Sequence, residues 1–212
     1  VQFDIPYHID GIQEAHYGGS GLVIDAADGL VLVDRNTVPI AMGDVRIVFA
    51  GAVDVPGKVV FIHPLHNMAI VQYDPALLGD TRVTVANLKS QPLDAGDDIW
   101  LVGMQSDQSL LVEEMSIASI DPLEFSIPQV PAFRESNLDV VSLNNAPFTQ
   151  GGVLTNKRGD VVALWSSFSF GDGNEFKQFE WGIPVELVQD LVKQWQCCKS
   201  FQIYSLETEL AA

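Results

Sequence analysis

The 212-residue sequence predicts an all-β fold, two small antiparallel β-barrels closed by one C-terminal helix. Three observations carry this. Short apolar or alternating runs recur along most of the chain, with turn residues between them. No helical stretch lies between those runs, which excludes a parallel sheet built on crossover helices. One helical pattern occurs, and it comes last.

The strand runs are 21–25, 30–33, 45–50, 58–62, 68–73, 82–85, 98–102, 110–119, 138–143, 152–155 and 161–165. Asp28-Gly29 suits one hairpin turn and Arg158-Gly159-Asp160 another, because glycine reaches the left-handed backbone such turns need. A polar stretch at 90–97, SQPLDAGD, is poor in strand formers and divides the strands into two sets of about six. The expected organisation is therefore a first barrel with its leading segment at 1–89, a linker at 90–97, and a second barrel at 98–183. Residues 121–137, with Pro122, Pro128 and Pro131, read as irregular. Pro184 suits a first helical turn, where a missing N–H costs nothing. Val188, Leu191, Val192 and Trp195 then follow as one apolar stripe, with Glu186 early and Lys193 late to match the helix dipole. This gives a closing helix at 184–196. Residues 197–212 read as a linker and the start of a further unit.

Twenty-eight acidic residues against eleven basic ones give a net charge of −17, in a chain that is 47% hydrophobic and 18% charged. That composition is globular. Eleven scattered cations form no patch for phosphate, so nucleic acid and anionic membrane surfaces are not expected partners. No apolar run approaches the ~20 residues of a membrane-spanning helix. The first residue is Val1 and no basic, then apolar, leader follows, so the segment reads as a piece of something longer. Cys197 and Cys198 are adjacent. They cannot staple distant parts of the fold, which points to a reducing compartment.

Several residues invite sharper readings. His63 and His66 have an i, i+3 spacing, but they precede a strand and lack a third ligand. Surface or interface histidines are expected, and no metal. Gly18-Gly19-Ser20-Gly21 has no following Lys and opens a strand, so it reads as a turn and not a phosphate loop; no cofactor is expected. Asp25, Asp28 and Asp34 read as turn caps or solvated groups. Ser20, Ser142, Ser166 and Ser167 sit in no nucleophile elbow, and His8 and His16 are free to act as a base. Phe133, Phe148, Phe168, Phe170, Phe176 and Phe179 cluster in the second half and read by default as core, with a surface that covers a cleft or contacts a neighbouring subunit as the alternative for some of them.

Three stretches together carry a resemblance. They are Gly18-Gly19-Ser20-Gly21-Leu22-Val23-Ile24-Asp25 with Asp28-Gly29-Leu30-Val31-Leu32-Val33; His63-Pro64-Leu65-His66-Asn67-Met68-Ala69-Ile70-Val71; and Gln150-Gly151-Gly152-Val153-Leu154-Thr155-Asn156 with Gly159-Asp160-Val161-Val162-Ala163-Leu164. In order and spacing this set resembles the HtrA (Deg) branch of chymotrypsin-like serine proteases, over about residues 14–195. Trp181-Gly182-Ile183-Pro184 and the helix after it look like that family's closing segment. The resemblance implies a chymotrypsin-like double β-barrel.

Serine protease chemistry needs a hydroxyl, an imidazole and an orienting carboxylate. The resemblance places the family's His at Asn36, its Asp at Asn67 and its Ser at Gln150. An amide accepts no proton near neutral pH, supplies no negative charge and is no nucleophile. Phe148 stands where the family has the glycine that shapes its oxyanion hole. No catalytic residue is therefore assigned, and the segment reads as a pseudoprotease domain. The runs 4–11, 33–43 and 132–147 resemble a fungal nuclear branch of the family, described as pro-apoptotic, whose long chains carry two protease-like halves with PDZ-like domains. The second, degenerate half is the better match. That resemblance implies a nuclear location and a parent serine endopeptidase whose active site lies in another domain. It also implies partners among the parent's own domains or subunits, unfolded peptide, or a second copy. Two other functions stay open, a hydrolase with a relocated site and a stand-alone peptide-binding module.

Overall fold

In a computed structural model, described for residues 1–7, 15–125, 135–172, 175–205 and 208, the chain forms two sheets and one α-helix. Side chains of 170–177 lie outside the described set, as do His8 and Phe133. The first sheet holds β1 (Gln2–Asp4), β2 (His16–Gly18), β3 (Leu22–Asp25), β4 (Leu30–Val33), β5 (Asp44–Phe49), β6 (Val53–Ile62) and β7 (Ala69–Tyr73). The second holds β8 (Asp98–Met104), β9 (Leu110–Pro122), β10 (Asp139–Leu143), β11 (Gly152–Thr155), β12 (Val161–Asp172) and β13 (Glu175–Pro184). Every pairing within the two sheets is antiparallel, and the second sheet closes on itself in the order β10-β13-β12-β11-β8-β9.

The expected pair of β-barrels is present, the first as an open half-barrel sheet and with a different strand count from the expected set of about six. That sheet has seven strands, in the order β2-β1-β5-β6-β7-β4-β3, with β2 and β3 at unpaired ends. The expected strand at 82–85 is not one. Val83 packs inward and Thr84 is exposed, as alternation requires, but Val85, on the Val83 face of a strand, is exposed too. The segment's backbone meets edge strand β3 only through the Ala86 N–H to Val23 C=O bond. β1, β2 and β13 were not expected. The hairpin turns are in place, with left-handed φ of 69° at Gly29 and 79° at Gly159.

β4 shows how the sequence builds the core. All four residues of LVLV are buried. Successive side chains of a strand point to opposite faces, so Val31 and Val33 join the core of the first sheet while Leu30 and Leu32 join a second core. That second core lies between the sheets and takes in Leu164, Phe168 and Ile183 together with Val185, Val188 and Leu191 of the helix. Burying each leucine contributes roughly 2 kcal/mol. A third core, around Ile99, Leu101, Leu154 and Trp165, fills the closed barrel.

The helix α1 (Val185–Cys198) begins after Pro184, which is its N-cap and not its first residue. The tether between sheets is held to α1 through Gln189 Nε2, which donates to Leu88 O at 3.0 Å, and by a Ser90–Glu186 hydrogen bond. Asp28, in the β3–β4 turn, receives Trp195 Nε1 at 2.8 Å and pairs with Lys199.

Candidate functional site

The candidate site lies where β4 and β7 of the first sheet face β12 of the second, and its centre is Ser167. Asn36, in the turn after β4, donates through Nδ2 to Ser167 O at 2.8 Å, to Ser167 Oγ at 3.1 Å and to Ser169 Oγ at 3.0 Å. Asn67, just before β7 and 3% exposed, donates through Nδ2 to the same Ser167 O at 2.7 Å. Its Oδ1 accepts the Arg35 N–H at 2.8 Å. Asn36 and Asn67, more than thirty positions apart, thus share one carbonyl in the opposite sheet.

Asp34 completes the clamp on the Ser167 backbone. Its Oδ2 accepts the Ser167 N–H at 3.1 Å, and its Oδ1 accepts the Thr37 N–H and Oγ1, each at 2.7 Å. Burial raises its carboxyl pKa against the opposing effect of those bonds. Asp34 is therefore a turn cap, one of the two roles expected from the sequence, but a buried one and not solvated. Asp25 is a turn cap, accepting the Ala27 and Asp28 N–H groups.

Gln150 is placed differently. Its side chain is exposed and makes no hydrogen bond to either asparagine. Its backbone is nevertheless built into the site. The Gln150 N–H donates to Met104 O at 2.7 Å, and its C=O accepts the Ser20 N–H at 2.7 Å. Gly151, at φ 76°, follows. Its neighbour Thr149 gives its N–H and Oγ1 to Glu180 of β13, at 3.0 and 2.9 Å, and Trp165 Nε1 joins the same carboxylate at 3.3 Å. Burial raises the Glu180 pKa, and the bonds from Thr149 and Trp165 partly offset this. The backbone N–H groups of 149 and 150 are thus both committed to internal acceptors. An oxyanion hole would need such donors turned to the cleft. Phe148 is 60% exposed beside them.

A second polar cluster adjoins Asn67. His66 Nδ1 donates to Glu135 Oε1 at 2.7 Å, and Glu135 is 2% exposed. Burial raises the Glu135 pKa, partly offset by His66. His63 is also buried, and its Nδ1 accepts the N–H groups of Leu65 and His66 at 3.2 and 2.9 Å. Burial first, then the neighbouring His66 and Arg35 charges, lower its pKa to about 3. Of the surface or interface placement expected, a surface one is excluded for His63, which is buried, while His66 is half-buried. Among the described residues no hydroxyl or thiol is hydrogen-bonded to either ring, and no group of three or more His, Cys, Asp and Glu is arranged to hold a metal. His16 bonds Asp4 in the exposed β1–β2 pair. Of the phenylalanines, Phe168 is buried, while Phe179 is partly exposed and stacks on Trp181 with ring centroids 5.0 Å apart.

His63 makes a testable contribution to acid sensitivity. The unfolded chain takes up a proton below about pH 6.5 and the folded chain only near pH 3. Between those values the unfolded state binds more protons, so stability falls as pH falls. Asparagine at 63 would keep an acceptor for the N–H groups two and three residues on without titrating. His63→Asn should therefore flatten the urea-unfolding profile below pH 6.5, by on the order of 2 kcal/mol at pH 4.5. Parallel profiles for the two proteins would refute this.

A scan against protein-family models matches none. Among curated proteins the chain is similar to Pro-apoptotic serine protease NMA111 of Yarrowia lipolytica, 35% identical over 216 residues, covering 98% of this chain and 22% of that protein. It is similar to Protease Do-like 7 of Arabidopsis thaliana, 32% identical over 200 residues, covering 88% and 18%. A PDZ domain-containing protein of Schizosaccharomyces pombe is 35% identical over 167 residues, covering 78% and 17%. The chain thus spans about a fifth of the length of these relatives. Among solved structures, Rv3671c of M. tuberculosis aligns with a TM-score of 0.60 at 19% identity, over 87% of this chain and 84% of that one. The HtrA-type protease AlgW with decapeptide aligns with a TM-score of 0.60 at 13% identity, over 93% and 62%. At such identities the likeness establishes the fold.

Proposed function

Because the chain belongs to the HtrA/Deg-type family of chymotrypsin-like serine proteases, we propose that it is a protease-like domain without catalysis of its own. In this reading it serves a longer endopeptidase as a scaffold, an oligomerisation unit or a peptide contact. The observation that carries the proposal is the hydrogen bonding at the three triad-equivalent positions. Asn36 and Asn67 use their side-chain amides to hold Ser167 of the opposite sheet, and the Gln150 N–H is bonded to Met104 O. Amides so placed fasten two sheets together and neither move a proton nor attack a carbonyl. The relative named for a PDZ domain supports a parent chain with such domains beyond this segment. Nuclear location and a place as the degenerate second half of the parent belong to the same proposal.

A peptide-contact role has an observation of its own. β11 pairs with β12 only as far as Trp165, while β12 runs on to Asp172 with β13 along its other edge. Asp34, Asn36 and Asn67 fill the free edge at Ser167. Beyond it, no strand among the described residues pairs with that edge, which suits an added extended strand held by main-chain hydrogen bonds. The AlgW structures with decapeptide and tripeptide fit that chemistry. Titration with unstructured peptides, followed by tryptophan fluorescence and sedimentation, tests it. Saturable binding that quenches Trp181 supports the peptide contact. Self-association with no peptide response would leave the scaffold role alone.

A further inference from the structure

The sequence scatters eleven cations along the chain, yet the fold gathers three of them around one cavity. That cavity lies where the tether between the sheets meets the β11–β12 turn and the start of β8, and it shares no lining residue with the candidate site. Its volume is about 520 Å³, within the usual range of a small-ligand site. Lys89, Lys157 and Arg158 line it together with Asp97 and Asp98. The wall therefore carries one net positive charge in a chain of net charge −17.

One side chain organises that wall. Asn156 opens the β11–β12 turn, and its amide is fully used. Nδ2 donates to Gln91 Oε1 at 3.1 Å and to Asp160 Oδ2 at 3.0 Å, while Oδ1 accepts the Arg158 and Asp160 N–H groups at 2.9 and 3.1 Å. The turn that presents Lys157 and Arg158 is thus fixed, and the tether is tied to it across 65 positions of sequence through Gln91. Lys89 belongs to the same tether, where its N–H donates to Val161 O at 2.8 Å. The cations themselves are weakly engaged. Lys157 pairs with Asp98 at 3.6 Å and Lys89 with Asp160 at 3.9 Å. Both distances are long and both ammonium groups lie partly in solvent, so these pairs contribute little. Among the described residues the Arg158 guanidinium makes no hydrogen bond or ion pair, and neither Gln91 Nε2 nor the Lys157 N–H has an acceptor. Asp97 is turned to its own loop, where it accepts the Asp94 N–H at 2.9 Å.

We propose that this cavity is a binding site for a phosphate monoester. Such a group carries close to two negative charges at neutral pH and three strong acceptor oxygens. Arg158 offers a planar fork for two of those oxygens, and the two ammonium groups offset the second charge. Gln91 Nε2 and the Lys157 N–H supply further donors. A carboxylate brings one charge and two oxygens, and leaves part of this donor set unmatched. An apolar ligand does not suit a wall in which Leu93 is the one apolar residue. Three cations match one phosphate and not the run of phosphates on a nucleic acid. A small phosphate ester and the phosphorylated side chain of a partner protein present the same chemistry. In either case the bound group joins the tether, through Lys89 and Gln91, to the second barrel, through Lys157 and Arg158.

The test titrates the 212-residue protein with O-phosphoserine, with a phosphoserine peptide and with the unphosphorylated form of that peptide, by calorimetry and thermal melting. Both phosphorylated probes should bind saturably and raise the Tm, because they bind only the folded chain. Arg158→Gln and Lys89→Gln should each weaken binding by on the order of 10-fold, the loss of one charge-assisted hydrogen bond. Lys58→Gln removes an exposed cation of β6 outside the cavity and should bind as the wild type does. Melting without ligand verifies that all three variants fold. Equal affinities for the two phosphorylated probes would assign a small phosphate ester as the ligand. A phosphopeptide bound 10-fold or more tightly would assign a partner's phosphorylated side chain. No saturation at millimolar probe, equal binding of the unphosphorylated peptide, or an equal loss in Lys58→Gln would each overturn the proposal.

Discussion

Asn67→Asp is expected to destabilise the protein by about 3–5 kcal/mol at neutral pH, the usual cost of an uncompensated buried charge. The change replaces a donor with an acceptor at a point where Asn67 Nδ2 lies 2.7 Å from Ser167 O. The new carboxylate would face a carbonyl oxygen near two carboxyls whose pKa values burial already raises, Asp34 and Glu135. Only its protonated form could donate to Ser167. Its pKa in the folded state would therefore rise above the ordinary value of about 3.9. In that window the folded protein holds a proton that the unfolded chain has lost, so stability falls as pH rises. Urea unfolding of both proteins at pH 4.5 and 7.5 measures it, with most of the loss expected only at the higher pH. A pH-independent difference would contradict the assignment. Adding Asn36→His supplies an imidazole donor to the new carboxylate. The pair should be more stable than the sum of the single changes by on the order of 1–2 kcal/mol. No coupling would mean that positions 36 and 67 do not face one another as a triad's would.

The second large effect concerns Gly152. A Cβ there would lie 2.3 Å from Val102 O and 2.7 Å from Gly103 Cα, both backbone atoms of the paired strand β8. Backbone cannot rotate away as a side chain can. Gly152→Ala should therefore force β8 and β11 apart and open the closed barrel, with a loss of about 4 kcal/mol or more. For a domain of this size that is a fall in Tm of roughly 10 °C. Val153→Ala, at a partly buried position in the same strand, is the control and should cost less. If Gly152→Ala melts within a couple of degrees of the wild type, the close packing of β8 on β11 is wrong. The glycine pair that carries part of the family resemblance is thus also a barrel-closing device.

Much of the fold was legible because strand periodicity is local. LVLV at 30–33, the alternation at 98–102 and the glycine turns at 29 and 159 each declare themselves within a few residues. β1 and β2 did not, being three residues each and too short to show a period. β13 hid behind Gln178 and Glu180, polar residues that read as surface; they instead serve Ser167 Oγ and the Thr149 turn. The site was legible only as three positions. Asn36, Asn67 and Gln150 follow from motif order, and the structure brings the first two side chains to one carbonyl. The residues that organise the site left no local signal. Asp34 meets Ser167, Glu180 meets Thr149 and Glu135 meets His66 across 133, 31 and 69 positions of sequence. Asp34 beside Asn36 offered one clue, an acidic residue directly after a fully buried strand. Burial of His63 and His66 had none, since nothing in HPLH shows that Glu135 will cover it.

Peptide hydrolysis by the purified 212-residue protein tests the central claim most directly. With unfolded casein and fluorogenic peptides, the expected result is no turnover above buffer. Turnover above background that a single substitution within this chain abolishes would contradict the account.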